Sequence, residues 1–307
     1  MKIYWILPII LIILLSGCIE EGMPFYKYAE AIGVVENKQT VEPPDVIVVT
    51  DYKIFPSDRV APDSSIEVMV YIKNKDERKS VNVNYIGISN PGIFECVICE
   101  DENINLNPLE EKSFIFKLNS PGEEEIGTMA IMQSLGLTLK YSYTSYSSTT
   151  LNFINEDTAR EFMKSKGKIP ITISTSMSRG PVRLEFDISH LQQPLIANGK
   201  TFQVYLRIYN EGDGVVNSIK QNNLNINFNG LSVDSYPEEY FECSSECEND
   251  KSILLFGDIS PKYYFSVNGP SSIDSGLVKT YTLRANAEYA YEVYKQIPVT
   301  VSPRAQI

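Results

Sequence analysis

The chain has 307 residues, a formal net charge of −12, five cysteines and a single histidine. That acidity repels phosphate backbones and, with Lys and Arg scattered rather than gathered into a stripe, argues against nucleic-acid binding. His190 alone supplies no second imidazole, which argues against Ser-His-Asp, Cys-His and multi-histidine metal sites, and it reads as an ordinary surface or turn histidine. Abundant Tyr and polar stretches alternating with Val, Ile and Leu make an all-β composition.

In chain order, Lys2 opens an apolar run from Ile3 to Leu15, interrupted only by Pro8. A bilayer helix needs roughly 20 apolar residues, so this shorter run reads as an export signal over residues 1–17. The end of the run and the three residues after it, Leu15-Ser16-Gly17-Cys18, resemble the lipobox of secreted lipoproteins. The resemblance implies that Cys18 is lipidated, becomes the mature N-terminus, and anchors the protein extracytoplasmically to membrane lipid. Residues 18–44, ending Glu42-Pro43-Pro44, then read as a tether.

Beyond the tether the chain repeats itself. Ser65 to Asn74 matches Thr201 to Asn210, Phe94-Glu95-Cys96 matches Phe241-Glu242-Cys243, and Leu139 to Tyr143 parallels Ala287 to Tyr291. Three anchors in one order, about 140 residues apart, indicate a tandem duplication. Ile66, Val68, Val70 and Ile72 alternate with polar or mixed neighbours, as do Phe202, Val204, Leu206 and Ile208, which predicts half-buried strands. Further strands are expected at Asn225–Phe228, Ser252–Phe256, Tyr263–Val267, Thr280–Ala285 and Ile297–Val301. The pattern predicts two antiparallel β-sandwich modules, 45–154 and 171–307. They are joined by a linker helix over 155–170, with Thr158 and Glu161 as its capping box and Ala159, Phe162 and Met163 on its buried face.

The strand followed by Asn (Tyr71 to Asn74, Tyr205 to Asn210), the late Tyr-x-Tyr strand and the turn Asn210-Glu211-Gly212 resemble exported lipoproteins with tandem immunoglobulin-like modules. The CARDB-type and surface-layer-associated modules frequent in archaea are of this kind. In the first copy Asn74-Lys75-Asp76 departs from the turn pattern. The resemblance implies immunoglobulin-like sandwiches and a role in binding, adhesion or envelope structure.

Four cysteines pair by spacing as Cys96/Cys99 and Cys243/Cys247, and export favours oxidation, so local disulfides are expected over cross-module pairing or a metal site. Acidic stretches follow each pair, Glu100 to Asn103 and Glu248 to Asp250; neither has the order of an EF-hand loop, and both read as solvated loops. Tyr141 and Tyr143, like Tyr289 and Tyr291, share a strand face and read as core; Tyr146 and Tyr294 read as exposed partner contacts. No phosphate loop, G-x-S-x-G or H-E-x-x-H motif occurs, so no catalytic residue, metal or cofactor is assigned. The expected function is a non-enzymatic, lipid-anchored surface protein that presents its modules to an envelope protein or glycan. The alternatives are an accessory subunit of a membrane or pilus complex and a carboxylate-based carbohydrate-active enzyme.

Overall fold

The alternating runs become strands because each buries one face: Ile66, Val68, Val70 and Ile72 are fully buried, as are Val204, Leu206 and Ile208. A computed structural model describes residues 44–165, 171, 173–274 and 278–303; residues 1–43, with Cys18, the expected export signal and all but the end of the expected tether, lie outside the described residues. The described residues are predominantly antiparallel β-structure, and the chain from Pro43 onward makes one compact unit.

A four-stranded sheet runs in the order Ile47–Phe55, Ser65–Asn74, Glu111–Asn119, Glu95–Ile98. Its counterpart from the second copy runs Val182–Asp187, Thr201–Asn210, Tyr263–Asn268, Val233–Ser235. The two sheets have matching registers at the positions that the sequence aligns. Ile47 pairs with Asn74 as Val182 pairs with Asn210, and Ser65 pairs with Asn119 as Thr201 pairs with Asn268. Both central strands end in asparagine because that side chain is buried where loop carbonyls need donors. Asn74 Nδ2 donates to the carbonyls of Lys79, Leu106 and Asn107 (2.9, 3.2 and 3.0 Å), and Asn210 Nδ2 to that of Gly214 (2.8 Å).

The two copies share a ten-stranded sheet. At its centre lie two long strands, Ile131–Ile154 and Lys279–Val301, paired antiparallel without a break from Ile131↔Val301 to Phe153↔Lys279. The separate strands expected at Thr280–Ala285 and Ile297–Val301 are thus parts of one. The first long strand continues into Val81–Asn90 and Glu100–Leu106, the second into Leu224–Asn227, Cys247–Asn249 and Phe241–Cys243.

Each long strand begins among residues of its own copy and ends among those of the other. Phe153, near the end of the first, packs against Phe202 and Tyr281 (ring centroids 5.8 and 5.4 Å), and Phe153 and Ile154 pair in parallel with Leu195 and Ile196. Reciprocally, Thr300 and Val301 pair in parallel with Arg59 and Val60. The copies therefore trade strand ends, and 23 paired positions join them besides the helix.

The helix is Glu156–Ser165. Its first turn begins after Asn155, with Thr158 inside it: the Asn155 carbonyl accepts from Ala159 N–H (3.0 Å), and its side chain exchanges two hydrogen bonds with the backbone of Ile273. Serving the neighbouring loop fixes Asn155 at the boundary and leaves Thr158 inside the first turn. Ala159 is buried and Phe162 half-buried, but Met163 is 75% exposed, so the buried stripe is narrower than expected. No helix among the described residues is long and apolar enough to cross a membrane.

Candidate functional site: the outer face of the shared sheet

Both cysteine pairs form disulfides, Cys96–Cys99 and Cys243–Cys247. The first ties two sheets together: Cys96 pairs with Leu118 in the four-stranded sheet, while the Cys99 carbonyl accepts from Ile88 N–H (2.7 Å) in the ten-stranded one. The second closes a hairpin in which Cys243 and Cys247 are register partners.

Period-2 geometry divides the long strands into two faces. On the inner face Tyr141 lies opposite Tyr291 and Tyr143 opposite Tyr289, with ring centroids 5.3 and 6.4 Å apart. All four rings are buried. Ser142 faces Ala290 between these pairs, and the two are equivalent in the repeat, so a local two-fold axis passes through the cluster.

Tyr143 and Tyr291, the repeat-equivalent members, each donate to a carboxylate of different character. Tyr143 Oη donates to Asp76 Oδ2 (2.5 Å), and the backbone N–H groups of Arg78 and Lys79 donate to Asp76 Oδ1 (2.8 and 3.0 Å). Burial pushes the Asp76 pKa up, but these donors and the Lys79 charge outweigh it and hold the carboxyl below its ordinary value. Tyr291 Oη donates to Asp45 Oδ1 (2.7 Å) and accepts from Gly214 N–H (2.6 Å). At Asp45 burial outweighs the hydrogen bonds from Tyr291 and Asp213, and the pKa is raised. Both phenols are pushed far above their ordinary range, first by burial and then by their carboxylate partners.

On the outer face stand Tyr146 and Tyr294, 43% and 53% exposed and equivalent in the repeat. Each lines a concavity. Tyr146, with Asp76, Lys79, Tyr143, Ser178 and Arg179, borders one of about 240 Å³, where Lys79 Nζ lies 5.4 Å from the Tyr143 ring and 5.6 Å from that of Tyr146. Arg179 spans it to Glu77 (3.2 Å). Tyr294 borders a trough of about 440 Å³ with Tyr85, Ser89, Thr138, Lys140 and Glu292. There Lys140 and Glu292, opposite each other in register, form an ion pair of 3.3 Å. The sequence singled out the two tyrosines; Tyr85 and Lys140, which come from neighbouring strands, carried no local signal.

His190 is exposed, with Nε2 3.0 Å from the Gln203 carbonyl and its ring against Tyr205. Beside it Asp187 binds Lys262 (2.8 Å) and Ser189, and these hydrogen bonds hold its pKa well below the ordinary carboxylate value. A depressed folded pKa adds stability above the unfolded value of 3.8, lost as pH falls through the lower folded value. Asp187→Asn should therefore flatten the acid limb of a stability–pH profile and lower stability at neutral pH, as read by urea unfolding from pH 2 to 7.

No protein-family model matches the chain, and no curated protein matches it. Among solved structures it is similar to a protein of unknown function from Porphyromonas gingivalis W83, at 11% identity and a TM-score of 0.19, over 71% of this chain and 83% of that one. It is also similar to E. coli alpha-2-macroglobulin in its native conformation, at 10% identity and a TM-score of 0.19, over 85% of this chain and 23% of that one. Likeness at this level carries no argument about what the chain does.

Proposed function

We propose that this is a lipid-anchored, extracytoplasmic binding protein whose two immunoglobulin-like sandwich modules share the central sheet and present its outer face to an envelope partner. Cys18, by its resemblance to a lipobox cysteine, holds the chain at the membrane through the tether. The observation that supports the binding role is the outer face itself. Two repeat-equivalent tyrosines, Tyr146 and Tyr294, stand exposed there beside concavities, while their neighbours on the inner face are buried. Exposed aromatics of this kind supply large, stiff contact area to a partner.

The test is photocrosslinking in intact cells of the full chain carrying benzoylphenylalanine at position 146 or 294. Crosslinks to envelope components are expected, and Cys18→Ser should leave an unprocessed precursor, read by its larger mass; mature, soluble protein from that variant would refute lipidation. Crosslinks to cytosolic proteins, or none at either position, would overturn the reading.

A further inference from the structure

The trough at Tyr294 is built rather than incidental. The strand Val81–Asn90 shifts register against the first long strand twice, between Val83 and Tyr85 and again between Ile88 and Asn90. The first shift turns Tyr85 onto the outer face, opposite Lys140; the second places Ser89 so that its Oγ reaches the Gly136 carbonyl (3.2 Å) and Thr138 Oγ1 (2.6 Å). Such shifts re-aim side chains. Between them the floor is made of residues with little or no side chain.

At two glycines of that floor a side chain would force a neighbour to shift, the Cys99 carbonyl (2.5 Å) being the nearest obstacle at Gly87. A Cβ on Gly87 would lie 2.6 Å from Tyr85 Oη, and a Cβ on Gly136 would collide with Tyr294 Oη. Each ring therefore lies over a glycine. Across the strands, one row reads Glu102, Tyr85, Lys140, Glu292 and the next Glu100, Gly87, Thr138, Tyr294. Glu100 and Glu102, from the acidic stretch that follows the first disulfide, thus stand at the same face. The result is a trough with two tyrosine rings, two hydroxyls, one ammonium donor and one carboxylate, with two further carboxylates at its edge.

We infer that this trough binds a neutral hexopyranose unit of an envelope glycan; the inference rests on the binding role proposed above and names the partner's class. Aromatic faces suit the apolar C–H face of a pyranose, while its ring hydroxyls both donate and accept, matching the Lys140 ammonium and the Glu292 carboxylate within the trough and Glu100 and Glu102 at its edge beyond Tyr85. Three carboxylates against one lysine repel uronic, sialic and sulfated sugars. Lys140 already sits 6.0 Å from the Tyr85 ring and pairs with Glu292, so the place a cationic peptide would take is filled from within. A volume of about 440 Å³ falls in the range of small-molecule sites.

The test uses the full chain in detergent micelles on an array of neutral mannose, glucose and galactose oligosaccharides, with sialylated and sulfated glycans and Lys/Arg-rich peptides alongside. Retention of a neutral glycan is expected. Tyr85→Ala and Tyr294→Ala should each weaken it about tenfold, as loss of one stacked ring does, and Tyr294→Phe should keep it. Circular dichroism confirms that each variant is folded. Preference for anionic glycans, retention of the peptides alone, or undiminished binding by folded Tyr294→Ala would each overturn the assignment. If no neutral glycan is retained while position 294 still crosslinks an envelope component in cells, the sugar assignment falls and the binding role stands; if both fail, both fall.

Discussion

Phe153→Ala should lower the free energy of unfolding by about 3–5 kcal/mol, the usual cost of emptying a packed aromatic site. The side chain is 1% exposed and lies against Phe202 and Tyr281, with Gly269 beneath it. All three contacts come from the second copy, although Phe153 is encoded in the first. Destabilisation should therefore reach both halves in one transition. Urea unfolding followed by tyrosine fluorescence and by far-ultraviolet circular dichroism checks this. Two separated transitions, with only the first shifted, would show that the halves unfold independently.

Tyr291→Phe should cost about 1–3 kcal/mol for each buried partner it deprives of a hydrogen bond, Asp45 Oδ1 and the Gly214 N–H; the Asp45 carboxyl keeps the longer bond from Asp213 N–H (3.3 Å). The cost should depend on pH. Because the folded pKa of Asp45 is raised above 3.8, its contribution is most favourable below that value and is lost as pH rises through the folded value. Removing the Tyr291 donor raises the folded pKa further, so the penalty should be larger at pH 7 than at pH 4. Tyr143→Phe offers the contrast, since Asp76 keeps the N–H groups of Arg78 and Lys79. Its penalty should be the smaller of the two at pH 7, and equal penalties would show that the backbone donors do not compensate.

Much of this was legible in the sequence, and the gaps have physical causes. Alternation marked the strands around Ile66 to Ile72 and Val204 to Ile208, because their inward residues are large and apolar. The same rule hid the long strands. Along Ser145, Ser147 and Thr149 the inward positions carry hydroxyls, all buried, and Ala285 and Ala287 opposite are small. Such runs read as polar loop, yet Ser145 Oγ bonds Tyr289 Oη (2.9 Å) and Thr149 Oγ1 lies 3.3 Å from Thr175 Oγ1. The helix was visible from its apolar spacing, but its starting point was not, since Asn155 is recruited by Ile273, far away in sequence. The candidate face was half legible. Tyr146 and Tyr294 stood out by repetition, whereas Tyr85 reaches the face only through a register shift.

The traded strand ends also bear on how such a molecule arises. One copy alone, exchanging its last strand with a twin, would make a homodimer whose axis lies where Ser142 now faces Ala290. A homodimer must carry every feature twice. Here Lys140 faces Glu292 across the axis, while the equivalent positions hold Glu288 and Thr144, which cannot form that ion pair. Within one polypeptide such pairing has no concentration dependence, and the two sides are free to differ. One side has a lysine, Lys140, between Tyr85 and Tyr294, where the other has Glu288. A ligand at that trough would meet one site per molecule, where a homodimer of one copy would offer two.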